Sequence, residues 1–357
     1  MGSTFSPSRV PVSTENGFLP PGEIIFGQSR HMQDVRQKVE KVASADIPVL
    51  VEGESGTGKE VVAKLIHSIS SWAEGPFVKV NCPAIPGTLI ESELFGYERG
   101  AFTGAYGSKP GRMELANQGT LFLDEISELD IGLQAKLLQF LQEGRFCRIG
   151  GQEETRVEAR IICATNRLLE REVEAGTFRE DLFYRINVVK IQLPRLSQRR
   201  EDIPALVNYF LDYYGRKFNR QAKRISPQVA HVLQNHDWPG NVRQLENLIK
   251  RYVVLGSEDS IIHEVSVRNR EAINPHIEIG AGGSISLKKV TREATKVLER
   301  EIIMKALQAH HWNRKKAARA LNISYRALLY KIRQADLPAA KKRTEAPGDS
   351  GTIVGEH

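Results

Sequence analysis

An α/β fold, built on a five-stranded parallel sheet and followed by purely helical modules, is what this chain of 357 residues predicts. Two observations carry that expectation. Five short β-branched runs, Pro48–Glu52, Phe77–Val80, Thr120–Leu123, Arg160–Ala164 and Val188–Gln192, alternate with helical patterns such as Glu60–Ser70 and Asp130–Gln142. Parallel neighbours need crossover helices, so such alternation implies a sheet covered on both faces. After Pro194 the strand signal stops. Three helical stretches near residues 200–217, 226–236 and 240–255 then suggest a small helical lid.

The ends of the chain read differently. Residues 1–22, rich in Ser and Pro, predict a disordered leader without the apolar core of a secretory signal. Residues 23–195 form the expected α/β unit and 196–256 the lid; a linker with Gly280-Ala281-Gly282-Gly283 spans 257–286. A basic helical module is expected over 287–337, and a polar, disordered tail over 338–357. Hydrophobic residues make up 41% and charged ones 26%, a globular balance, and no apolar run approaches the roughly 18 residues of a membrane span. Cys82, Cys147 and Cys163 show neither disulfide nor metal spacing, which fits a reduced, cytoplasmic setting. The formal net charge is +7, yet residues 285–335 alone hold thirteen Lys and Arg against three Glu. Charge concentrated at one end points to nucleic acid, with a solvated helical face as the plainer alternative.

Gly53-Glu54-Ser55-Gly56-Thr57-Gly58-Lys59 lies between a predicted strand and a predicted helix. Glycines there let successive N–H groups and the helix N-terminus face phosphate oxygens, with Lys59 reaching the terminal phosphates. The Ser or Thr that usually follows the lysine is replaced by Glu60, so the hydroxyl that meets Mg²⁺ is missing. Gly119-Thr120-Leu121-Phe122-Leu123-Asp124-Glu125 is an apolar strand ending in two carboxylates. Asp124 is placed to hold Mg²⁺, directly or through water, and Glu125 to polarise an attacking water. ATP and Mg²⁺ are the expected cofactors. A buried strand with solvated acids at its end is the bland alternative.

Between these motifs stands Gly100-Ala101-Phe102-Thr103-Gly104-Ala105, which hydrolysis itself does not need. Two glycines bracketing Ala-Phe-Thr suggest a turn that presents one aromatic ring outward. A plain surface turn with Phe102 in the core is the alternative, but the segment lacks a periodic apolar face.

In the basic module, Leu298, Ile302, Ile303 and Leu307 recur at helical spacing and suit dimer packing. Trp312-Asn313 introduces a helix over Arg314–Leu321, Asn322 occupies the turn, and Ser324 can cap a helix over Tyr325–Arg333. Leu328, Leu329 and Ile332 would face the core, leaving Tyr325, Arg326, Tyr330, Lys331 and Arg333 for DNA. Tyr325 and Arg326 are the expected base readers, whereas Lys315, Lys316 and Arg333 suit phosphate. A helical oligomerisation module is the alternative.

With Glu93-Leu94-Phe95-Gly96-Tyr97-Glu98-Arg99 ahead of the hexapeptide, the chain resembles the AAA+ activators of sigma-54 RNA polymerase, the bacterial enhancer-binding proteins. The resemblance covers about residues 23–256 and 290–335, and that family shares the glutamate at Glu60. It implies an AAA+ P-loop NTPase with a lid and a Fis-type helix-turn-helix, and assigns sigma-factor contact to Gly100–Ala105. It also implies roles for residues that spacing alone does not mark. Asn81 matches a switch asparagine that restrains Glu125; Thr165 and Asn166 match sensor I. Arg179 and Arg185 match arginine fingers serving a neighbouring subunit, and Arg243 matches sensor II. The segment 143–155 resembles a supporting loop, and Ser197 departs from the family's usual arginine.

The function so implied is ATP-driven conversion of sigma-54 holoenzyme from closed to open promoter complex, by a DNA-tethered dimer that assembles into a hexameric ring. A DNA-binding repressor or regulator that keeps the AAA+ body without sigma-54 activity is the alternative, and the intact hexapeptide weighs against it. Only about twenty residues precede the ATPase, so the expectation is a short form, controlled by a separate protein in trans or assembling more freely.

Overall fold

The computed structural model describes residues 19–258 apart from 86 and 222, then 261, 262, 265, 302–304, 306, 307, 310 and 312–334. Expectations for residues 1–18, 266–286, Leu298 and 338–357 lie outside the described residues. The chain divides into two units, Met1–Val265 and Ser266–His357.

In the first unit, helices α1 (Gly22–Phe26) and α2 (Arg30–Ala43) precede β1 (Val49–Glu52) and α3 (Lys59–Ser68). Then come β2 (Phe77–Asn81), α4 (Gly87–Phe95), the short pair β3 (Gly96–Tyr97) and β4 (Lys109–Pro110), α5 (Arg112–Leu115) and β5 (Gly119–Asp124). Helix α6 (Ile131–Glu143) leads to a second short pair, β6 (Arg145–Cys147) and β7 (Glu154–Arg156), and on to β8 (Ala159–Thr165). Helices α7 (Leu169–Glu174) and α8 (Glu180–Ile186) precede β9 (Val189–Gln192).

The five long strands make one sheet in the order β2-β5-β8-β1-β9, every neighbouring pair parallel. All five predicted runs are strands of this sheet, so the α/β expectation holds. Its cause is visible in the alternation of side chains. Leu121, Leu123, Ile161 and Cys163 point into a core shared with α4, α6 and α8. Phe122, Ile162 and Ala164 point to the opposite face, against α2 and α3. Each fully buried Leu, Ile or Phe contributes about 1.5–3 kcal/mol, so a sheet apolar on both faces must be covered on both.

Buried Arg160 breaks the apolar pattern of β8. Its Nη1 and Nη2 donate to the carbonyls of Ala43 (2.8 Å) and Val42 (2.7 Å), satisfying the C-terminal carbonyls of α2, which covers the same face of the sheet. Helix α6 begins at Asp130, whose carboxylate accepts from the Leu133 amide at 2.9 Å.

The lid comprises α9 (Ile203–Lys217), α10 (Pro227–Asn235) and α11 (Asn241–Leu255). These meet around Leu206, Phe210, Leu233, Trp238, Leu245 and Ile249, all buried. The Trp238 indole donates to the Leu233 carbonyl at 2.8 Å, which lets its large ring lie fully inside.

In the second unit, helices Arg314–Ala320 and Tyr325–Gln334 pack through Ala317, Ala318, Leu328 and Ile332 onto Ile303 and Leu307. Asn313 caps the first helix by accepting from the Lys316 amide at 3.2 Å. Ser324 caps the second by accepting from the Ala327 amide at 3.1 Å. Asn322 adopts φ 52° between them, the left-handed turn expected of it.

Candidate nucleotide site and contact loop

The stretch from Gly53 to Lys59 runs from the end of β1 into the first turn of α3 and is held by its own chain. Thr57 Oγ1 donates to the Glu54 carbonyl at 2.7 Å, and Lys59 Nζ donates to the Gly53 carbonyl at 2.8 Å. Lys59 Nζ also donates to Glu125 Oε1 at 3.1 Å, while Glu125 Oε2 accepts from the Asn166 amide at 2.8 Å. Glu125 itself sits at φ 55°, just past the end of β5. The backbone there turns the carboxylate back over the loop.

Asp124 and Glu60 share one cation. Lys79 Nζ lies 2.6 Å from Glu60 Oε2 and 3.5 Å from Asp124 Oδ2, and Lys64 reaches Glu60 at 2.8 Å. Among the described residues, no group of three or more His, Cys, Asp or Glu could hold a metal alone. Two converging carboxylates beside a phosphate cradle still fit Mg²⁺, which commonly takes one or two carboxylates together with phosphates and water.

The lid closes the cradle from above. Arg243 donates through Nη1 to Ser55 Oγ (3.1 Å) and through its amide to the Gly56 carbonyl (3.3 Å). Asn241 Nδ2 donates to Glu54 Oε2 (3.2 Å) and the Ser55 carbonyl (3.1 Å), and its Oδ1 accepts from the Leu196 amide (2.8 Å). Arg195 pairs with Glu54 at 2.8 Å. A Cβ on Gly56 would stand 2.5 Å from the Gly240 carbonyl oxygen, so only glycine permits this approach.

A cleft of about 340 Å³ results, lined by Ser55, Gly56, Gly58, Lys59, Glu60, Asp124, Glu125 and Arg243. Behind Gly58 and Val61 lies a more apolar hollow of about 370 Å³, bounded by Ile24, Ile25, Arg199, Leu206, Tyr209 and Phe210 among others. Sequence reasoning missed this hollow, together with Arg199 and Asn241. Arg199 is buried and donates from Nη2 to the Thr57 carbonyl at 3.1 Å. The altered run containing Ser197 therefore still meets the loop. Their only signal was Arg and Asn near Pro194 and Pro239, where no spacing motif singles them out.

Other expected residues lie farther out. Asn81 ends β2 in register with Asp124, but Glu125 is held by Lys59 and the Asn166 amide rather than by Asn81. Thr165 is buried against Ser127 (Oγ to Oγ1, 3.1 Å), and Asn166 meets Glu125 through its backbone. Neither Arg179 nor Arg185 lines the cleft. Arg179 makes a bidentate pair with Asp181 (3.0 and 2.6 Å), and Arg185 donates to the Leu141 carbonyl (3.2 and 2.7 Å).

The chain leaves the cleft after Asn81 and returns on β5, the strand ending in Asp124. At the far end of that excursion is the hexapeptide, closed by Gly100 N–H to Ala105 O (2.9 Å) and Ala105 N–H to Phe102 O (3.0 Å). Gly100 and Gly104 take φ 86° and 108°. Phe102 is 42% exposed with its ring against Tyr97 (centroids 5.0 Å), Thr103 is exposed, and Tyr106 beyond them is 90% exposed. The segment containing β6 and β7 is bound to this excursion. Glu98 N–H donates to Ile149 O (3.0 Å), and Ile149 N–H donates to Gly96 O (3.0 Å). Arg148 pairs with Glu98 (2.9 Å) and Glu114 (2.6 Å), which drives its pKa up through the Glu114 hydrogen bond first.

In the second unit Lys315, Lys316, Ser324, Tyr325, Arg326 and Tyr330 are exposed and Lys331 is half-buried. Arg333 belongs to the last helix, but its side chain lies outside those described.

A family model described as the sigma-54 interaction domain matches residues 25–192. One described as an AAA+ ATPase lid domain matches 197–271, and one for bacterial regulatory proteins of the Fis family matches 295–334. Regulatory protein AtoC of Escherichia coli (strain K12) is 46% identical over 313 residues, 87% of this chain and 67% of AtoC. Response regulator protein PilR of Pseudomonas aeruginosa is 41% identical, over 88% of this chain and 70% of PilR. The Nif-specific regulatory protein of Herbaspirillum seropedicae is 43% identical, over 89% of this chain and 62% of that protein. The chain spans 57% to 70% of the length of these curated relatives and others like them. The structure of NtrX from Brucella abortus in complex with ATP aligns at TM-score 0.62 and 35% identity, over 87% of this chain and 69% of NtrX.

Proposed function

Since the chain belongs to the family of regulators built on a sigma-54 interaction domain, we propose that it is an ATPase that activates transcription by remodelling sigma-54 RNA polymerase. The phosphates of ATP would occupy the cleft over Lys59, and the base the apolar hollow beside Ile24, Ile25 and Phe210. Asp124, with Glu60 nearby, would hold Mg²⁺. Bound there, the metal would neutralise β- and γ-phosphate charge. Glu125 would orient the attacking water. A γ-phosphate would compete for the Lys59 ammonium that now holds Glu125 Oε1, so nucleotide binding would free the carboxylate for that task. Thr165, Asn166 and Arg243 would report the phosphate state to the sheet edge and the lid.

The single observation carrying this reading is the excursion that departs from Asn81, exposes Phe102 and returns into Asp124. Hydrolysis changes charge at one end of it, and a partner can be gripped at the other. Arg179 and Arg185, absent from the cleft, would serve as fingers for the neighbour's nucleotide in a ring of six subunits. Tyr325 and Arg326 would read DNA, with Lys315, Lys316, Tyr330, Lys331 and Arg333 holding the duplex around them.

Purified Phe102→Ala protein, assayed in parallel for ATP hydrolysis and for open-complex formation at a sigma-54 promoter, tests the reading. ATPase within about twofold of wild type, with promoter opening lost, is expected. Normal promoter opening by that variant would sink the reading.

A further inference from the structure

Lys79 projects from β2 into the gap between the cradle and the end of β5, a place that neither the phosphate-loop motif nor the strand motif assigns. Its ammonium stands between Glu60 (2.6 Å) and Asp124 (3.5 Å), the two carboxylates on the metal side of the cleft. Lys64 reaches the same Glu60 carboxylate from α3, at 2.8 Å. The cluster is thus two carboxylates sharing a protein cation at the position where a divalent cation would coordinate.

We propose that Lys79 is a built-in counter-cation of the nucleotide site, which neutralises Glu60 and Asp124 for metal-free ATP and competes with Mg²⁺ for Asp124. This rests on the ATP site proposed above. Without the ammonium, Asp124 would lose its cation and Glu60 would keep only Lys64, so repulsion between these carboxylates and the triphosphate would weaken its binding. With Mg²⁺ present the same neutralisation comes from the metal, and Lys79 becomes dispensable for affinity. The cost of carrying Lys79 is a higher Mg²⁺ requirement, because Asp124 must exchange one cation for another.

The test is equilibrium binding of a fluorescent ATP analogue to the full chain and to Lys79→Met, in EDTA and across a Mg²⁺ titration. Melting curves, and Lys79→Ala as a second variant, guard against misfolding. We expect Lys79→Met to bind about tenfold more weakly in EDTA. At saturating Mg²⁺ it should lie within about twofold of wild type, with half-saturation at a lower Mg²⁺ concentration. Equal losses in both conditions would make Lys79 a phosphate ligand or a structural prop and overturn the proposal. Equal affinities in both would overturn it as well. Failure of the wild-type chain to bind nucleotide at all would count instead against the ATP site itself.

Discussion

The phosphate cradle and the hexapeptide are both glycine-rich turns, yet they are held in opposite ways. Gly53–Lys59 is gripped from two sides: Lys59 ties it to Glu125, while Asn241, Arg243, Arg195 and Arg199 bind it from the lid side. Gly100–Ala105 closes on itself with two backbone hydrogen bonds and offers Phe102 and Thr103 to solvent. A turn that must keep phosphate oxygens within hydrogen-bond reach needs many anchors. A turn that offers a contact surface needs few, and those few should sit at its base. Arg148, between Glu98 and Glu114, is such an anchor.

Replacing anchors on each side should break the comparison in different ways. Lys59→Ala should have the largest effect, with ATP hydrolysis falling about 100-fold or more because the cradle loses its phosphate ligand; steady-state phosphate release checks it. Next, Arg148→Ala should leave ATP hydrolysis within about threefold of wild type while promoter opening falls about tenfold. If both activities fell together, the two regions would be one mechanical unit and the contrast would be lost.

A pH experiment sharpens the same point. Glu114 is pushed up by burial, but Arg148 and the Gly111 amide outweigh that and lower its pKa. Its contribution should be intact above the ordinary Glu value of about 4.3 and lost as pH falls through the lowered value. Protection factors at the Glu98 and Ile149 amides, with the pH dependence of intrinsic exchange divided out, should thus be unchanged between pH 8 and 5 and fall only once the pH drops below the ordinary Glu range. The smallest effect concerns thiols. Cys147, exposed on β6, should react with a thiol reagent in the folded chain at pH 8. Cys82, its thiol pushed up to about 12 by burial, should react only after unfolding, as should the buried Cys163.

Much of this architecture was legible in the sequence because it is periodic or strongly spaced. Alternating Leu121, Phe122 and Leu123 announced a strand buried on both faces, and Gly53–Lys59 announced the cradle. Asn322 and Ser324 announced the turn between the last two helices. What stayed hidden depends on chain segments far apart in sequence. Asn241 reaches Glu54, and Arg199 reaches Thr57, across more than a hundred residues, and no local pattern encodes such contacts. Lys79 was invisible for the same reason: on a strand it reads as a solvated lysine, and only the fold brings Glu60 and Asp124 to it.

The close approach of Gly56 to the Gly240 carbonyl has a bearing on inheritance. A single-base change that put any side chain at position 56 would drive a wedge between cradle and lid while leaving Lys59, Asp124 and Glu125 unchanged in the sequence. Such an allele would encode a protein that still looks complete residue by residue, yet whose two halves could no longer shut. Were the chain to work in the ring proposed above, such a copy would take a seat among working ones, and one damaged gene would poison the assembly built from an intact one.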